Sequence, residues 1–200
     1  MAITTYAELK TAIATWLARD DLTAYIPDFI TLFETNARRR LRSRQQIKTT
    51  ELLTDEGNAL LPSDYVSPVR LTWLGDSRTG LDYVAPQELD ILYPESTAGT
   101  PLVYTIEGTT IKTRPVDDDT ELELVYLGDL TTLANGSNWL IEKHPDLYLF
   151  GSLVEAEIFN KDPERASIWK SRRDEIYAEL DRVDFNERPR MAVSQIGAAP

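Results

Sequence analysis

The chain has no cysteine and a single histidine, His144, in 200 residues. The first absence excludes disulfides, thiolate metal sites and cysteine nucleophiles together. The second excludes multi-histidine metal centres and leaves at most one imidazole for acid–base chemistry. Glycine is sparse and never falls in the spacing of a phosphate loop. No apolar run approaches the ~20 residues that span a membrane. The opening "MAITTYAELK" lacks the basic region and apolar core of a signal peptide. The expectation is a soluble chain made in a cytoplasm, with no membrane partner. What the chain has in excess is negative charge: 33 Asp plus Glu stand against 21 Lys plus Arg, a net charge of −12. That balance opposes binding along bare DNA, where affinity comes from neutralising phosphates. The length suits one domain or two small ones, with roughly 70% of the unfolded surface buried.

The pattern runs helices, strands, helices, which makes the fold class α+β. Thr5-Tyr-Ala-Glu8 has the form of a capping box, and Tyr6, Leu9, Ile13, Trp16 and Leu17 behind it mark one helix face. Pro27 suits the first turn of a second helix, whose stripe of Ile26, Ile30, Phe33, Ala37 and Leu41 runs to about Arg44. From Ile47 to about Leu133 short apolar runs are broken by turn residues. "PLVYTIEGTTIKTRP" predicts a hairpin around Glu107-Gly108, "ELELVYL" a half-buried strand, and "APQELDILYP" a short helix with Leu89 and Leu92 inward. Helix returns at His144-Pro145-Asp146, with Leu147, Phe150, Val154 and Ile158 inward. Asp162-Pro163-Glu164 opens a last helix with Trp169, Arg173, Ile176, Leu180 and Val183 on its stripe. The expected organisation is a four-helix cluster from residues 1–46 and 139–186, an inserted, mainly antiparallel β domain over 47–138, and an extended tail over 187–200.

Nothing argues for an enzyme or for a cofactor or metal. The acidic run "DDDTELE", Asp117 to Glu123, lacks the glycine and terminal glutamate of a calcium loop and reads as a hairpin tip between two strands. His144 has no nucleophile signature beside it. A cell-wall hydrolase would need two carboxylates facing each other across a cleft, which sequence alone does not reveal.

The stretch "NARRRLRSRQQIK", Asn36 to Lys48, is the exception to the acidic balance, with five arginines between Arg38 and Arg44 and no acid. At 100° per residue, Arg38, Arg39 and Arg42 point away from the stripe centred on Ala37, while Arg40 and Arg44 lie at its shoulder and can bridge to carboxylates of the same subunit. Phe29 and Leu32 form a second apolar flank on the side of Arg39, the pattern of a helix covered once by its own fold and once by a neighbour. Three roles stand open: a subunit or partner interface, where arginine's planar fork pairs carboxylates; a solvated helix face; and a nucleic-acid contact, as in a DNA-binding packaging or regulatory factor.

The ordered set "TTYAELKTAIATWLARDDLTAYIPDFITLFETNARRRLR", "LPSDY…RLTWLG", "PLVYTIEG", "LVYLGDLTTL" and "NWLIEKHPDLYLFGSLVEAEIFNKDPERASIWKSRRDE" resembles the head-to-tail adaptor proteins of tailed bacteriophages. Podoviral tail tubular protein A is a more distant relative of that kind. The resemblance covers about Thr4 to Arg188 and rests on order rather than on one diagnostic motif. It implies a structural virion protein without catalysis, assembled as a dodecameric ring in the neck between the portal protein and the next tail component, a nozzle or tail tube protein. DNA would only pass through the channel. It further implies helices packed between neighbouring copies and a C-terminal segment reaching along the portal. The residues expected at such contacts are Arg38, Arg39, Arg42, Phe29 and Leu32, with Arg190, Met191, Val193 and Ile196 from the tail.

Overall fold

The computed structural model describes residues 3–94, 97–117 and 119–187 and is an α+β protein. Its chain divides into two units: a helical one that runs up to Ser43 and resumes at Thr131, and a sheet unit, Arg44–Leu130.

The helical unit holds α1 (Tyr6–Leu17), α2 (Ile26–Arg40), α4 (Trp139–Lys143), α5 (Pro145–Phe159) and α6 (Pro163–Glu187), while α3 (Pro86–Leu92) belongs to the sheet unit. The capping box forms: the Glu8 amide donates to Thr5 Oγ1 at 3.2 Å and the Thr5 amide to Glu8 Oε2 at 3.0 Å. The start of α6 is held by the Arg165 amide donating to Asp162 Oδ1 at 3.0 Å. Helix α5 packs against α1, α2, α4 and α6. Leu147, Tyr148, Leu149, Gly151, Ser152, Leu153, Val154 and Ala156 are all buried, so it has no single inward stripe. Ile158, expected inside, is 60% exposed. A helix covered on most sides carries no clean amphipathic period, and the last turn of α5 escapes that cover. Across the bundle, Trp16, Phe150 and Trp169 join α1, α5 and α6, with ring centroids 5.4–5.9 Å apart. Such aromatic contacts add about 0.5–1.5 kcal/mol each beyond the area they bury. On α6 the expected stripe holds through Trp169, Arg173, Ile176 and Leu180, with Tyr177 buried beside it, and then lifts off at exposed Val183.

The sheet unit contains β1 (Ile47–Leu53), β2 (Asn58–Leu60), β3 (Tyr65–Leu74), β4 (Arg78–Gly80), β5 (Asp82–Tyr83), β6 (Val103–Glu107), β7 (Thr110–Arg114) and β8 (Glu121–Gly128). One sheet has the order β1-β8-β3-β4 and the other β2-β7-β6-β5. All pairings are antiparallel except β5 with β6. Leu71 and Trp73 of β3 and Leu122, Leu124 and Tyr126 of β8 share one apolar cluster with Ala59, Tyr104 and Ile111 of the other sheet. Alternation on β8 turns Glu123 to the opposite face, where it pairs with Arg70 at 2.8 Å and Arg78 at 2.5 Å. The Arg78 hydrogen bond, followed by burial acting against it and by the charges of both arginines, holds the Glu123 carboxyl below its usual range. Pro68 fits within β3 because β4 pairs only from Thr72 to Leu74, leaving that side of β3 without a ladder at Pro68. The hairpin at Glu107-Gly108 forms, with Gly108 at φ 60°.

Two expectations in this unit are corrected. The acidic run is not a hairpin tip, because β7 before it and β8 after it lie in different sheets. It is a crossing between sheets. Leu92 is 53% exposed, and Leu89 alone anchors α3; a helix of two turns has room for one buried position.

Candidate functional site

The arginine run begins on the last turn of α2, which ends at Arg40 rather than near Arg44. Leu41 keeps its amide bonded to the Ala37 carbonyl at 2.8 Å but turns extended at ψ 130°. Beyond it, Arg42 Nη1 donates to the carbonyls of Arg38 at 2.8 Å and Leu41 at 2.7 Å. A side-chain cation thus satisfies two carbonyls that the helix end would leave open, and places charge where the helix dipole favours it. Because the helix stops early, the wheel does not extend to Arg44, which lies in the sheet unit.

The remaining arginines divide differently from the helical projection. Arg40 is at the shoulder, as expected: Nη1 pairs with Asp174 of α6 at 3.2 Å, and the guanidinium sits 4.0 Å from the Tyr177 ring centroid. Arg38, expected to point outward, is half-buried and donates to Thr132 Oγ1 at 2.5 Å. The crossing segment at Thr131–Leu133 lies over that side of α2 and takes it out of solvent. Arg39 is exposed and donates to the Thr35 carbonyl at 3.2 Å.

Phe29 does not form a free flank. It is 3% exposed, with the Phe159 ring 5.6 Å from its own. The end of α5 covers it, so it is withdrawn as a contact residue. Leu32 is exposed, as are Tyr25 and Phe159, whose rings lie 5.2 Å apart. Arg190, Met191, Val193 and Ile196 lie outside the described residues.

Beneath the run is a buried polar network that periodicity does not reveal. Glu34 Oε1 accepts from the Leu133 amide at 2.7 Å and from the Tyr148 hydroxyl at 3.0 Å. The same hydroxyl accepts from Asn138 Nδ2 at 2.7 Å. Asn138 also donates to the Thr131 carbonyl at 2.7 Å, and its Oδ1 accepts from the amides of Leu140 and Ile141. Burial drives the Tyr148 hydroxyl far above the usual tyrosine range; the Asn138 bond and the Arg38 charge oppose this, and Glu34 adds to it. Network members satisfy one another in a low-dielectric interior, where an unpaired carboxylate would be costly. Two signals for it were present in the sequence: Glu34 is an acid within an apolar stripe, and Asn138 occupies a helix N-cap position.

In the sheet unit, a groove of about 500 Å³ runs where β1 and β2 approach, lined by Glu51, Leu53, Asp55, Glu56, Ala59 and Leu60 among others. Among the described residues, no group of three or more His, Asp or Glu converges in a way that would hold a metal ion. None of the helices described there is long and apolar enough to cross a membrane.

Comparison with known families assigns this architecture to a class, that of bacteriophage structural adaptor proteins. The chain belongs to the SU10 adaptor protein family, which it matches over residues 4–195. No curated protein matches it.

Proposed function

We propose that the chain is a neck adaptor that joins the portal of the capsid to the tail and works by assembly, without catalysis. Copies close into a ring, dodecameric in this reading, that extends the DNA channel and seats the next tail component. The family match over residues 4–195 is the observation that carries the proposal. A closing heterologous contact is the geometry that generates rings. The acidic balance supports it, because a channel through which DNA slides should not grip phosphates. The arginine run supports it as well, since Arg38 and Arg40 are engaged by side chains of their own chain. In this reading the helical unit takes part in the contacts that build the ring. Leu32, Arg39 and Arg42 meet a neighbour or the portal, and the segment carrying Arg190, Met191, Val193 and Ile196 reaches along the portal. The site of action is the virion neck, with assembly in the host cytoplasm, and the kinship extends more distantly to podoviral tail tubular protein A. Negative-stain imaging and mass photometry, on the protein alone and mixed with its portal, test the reading. Rings are expected in at least one condition, and monomer alone in the presence of portal overturns it.

A further inference from the structure

Two surfaces are incomplete in opposite senses. The first is a ridge on the helical unit. Tyr25, Phe29, Leu32, Asn36 and Arg39 recur at steps of four and three, which aligns them along one side of α2. Phe29 is the buried floor, Tyr25, Leu32 and Phe159 are the exposed apolar crest, and Arg39 and Arg42 stand at the C-terminal end. Both guanidinium groups donate to backbone carbonyls, and among the described residues neither pairs with a carboxylate.

The second is the groove between β1 and β2. Leu53 and Leu60 stand at it 62% and 72% exposed, and Glu51, Asp55 and Glu56 surround them with no cationic partner among the described residues. Exposed leucines gathered at a groove and rimmed by charge have the make-up of a contact surface. In a chain of net charge −12, copies repel by default. A contact between copies is therefore favoured where a basic edge without carboxylate partners meets an acidic edge without cationic ones.

We infer that the ridge of one copy docks in the acid-rimmed groove of the next. The occupant of the groove is the Leu32 side of α2 from a second copy, with Arg39 and Arg42 meeting Glu51, Asp55 and Glu56. Arginine forks pair carboxylates in fixed geometry, which sets register, while the leucines and aromatic rings supply apolar burial. The contact is head-to-tail, because ridge against ridge would oppose arginine to arginine. The inference rests on the adaptor reading and adds to it the pair of faces that close the ring.

The absence of cysteine makes the test clean. Leu32→Cys and Leu60→Cys variants are mixed under mild oxidation, alone and with portal; a disulfide forms only where Cα atoms come within about 7 Å. A mixed L32C–L60C product is expected, well above either like-with-like product. In parallel, Arg39→Glu with Arg42→Glu should weaken ring formation by at least about tenfold. Adding Glu51→Arg and Glu56→Arg to the same chain should restore it, although loss of the Arg42 bonds to the α2 carbonyls lowers the melting temperature of both variants alike. Wild-type rings without the mixed product, an L32C–L32C product in its place, or a charge swap that fails to rescue would overturn this pairing and leave the adaptor reading standing. A wild type that forms no oligomer even with portal removes both.

Discussion

The Tyr148 hydroxyl donates to Glu34 Oε1 at 3.0 Å, joining α5 to α2 at a point where both residues are buried. Glu34 also holds the Leu133 amide, so this one carboxylate ties the returning chain to the bundle. Tyr148→Phe removes a donor from Glu34 and an acceptor from Asn138, and is expected to cost about 1–3 kcal/mol in urea unfolding. Combining it with Glu34→Ala should give a coupling energy of about 0.5–3 kcal/mol, and strict additivity would mean that the bond contributes nothing of its own.

Gly151 inverts the usual helix rule. In a helix interior, Gly→Ala ordinarily gains about 1 kcal/mol. Here an added Cβ would run into the Phe33 ring, which is itself buried. Gly151→Ala is expected to destabilise by about 1–3 kcal/mol as overpacking. Pairing it with Phe33→Leu should recover part of that loss, measured by thermal melting.

Tyr177 should make the protein sensitive to alkali. Burial first, with Arg173 and Arg40 opposing and Asp174 adding, pushes its hydroxyl from 10.0 up to about 12. The neutral form is favoured in the folded state. Its contribution is therefore fully present below pH 10 and is lost as pH rises toward 12. The hydroxyl has no hydrogen-bond partner among the described residues. Tyr177→Phe is accordingly expected to raise stability at neutral pH by about 1 kcal/mol. It should also flatten the fall in melting temperature between pH 10 and 12, and an unchanged pH profile would count against this account.

Duplex DNA is expected not to bind measurably at ~50 mM salt. Titration by fluorescence anisotropy would check this. Binding that weakens steeply with salt and disappears with Arg39→Glu and Arg42→Glu would return the arginine run to phosphate recognition.

The fold class and most elements are legible in the sequence because local chemistry determines them. Thr5 and Glu8 announce α1, Pro163 opens α6, and Glu107-Gly108 marks its hairpin. What escapes is set by neighbours distant in sequence. The burial of Phe29 depends on Phe159, and the partial burial of Arg38 on Thr132. No periodicity within α2 carries that information. The crossing of "DDDTELE" between sheets depends on which strand pairs with β8, a choice that alternation leaves open. Of the expected contact residues, Leu32 and Arg39 are exposed, as their spacing predicts, because the end of α5 reaches Phe29 but not their turns of α2.

The insertion of Arg44–Leu130 between the halves of the helical unit also imposes an order on synthesis. When α2 leaves the ribosome, α5, which covers its apolar face, has not yet been translated. At ~5–20 residues per second, that face waits on the order of ten seconds while the sheet unit is made. The sheet unit can bury its own cluster during this interval, so the nascent chain exposes one amphipathic hairpin of helices beside a finished neighbour. Chaperone demand during expression should therefore fall on residues 6–41 and end when α5 emerges.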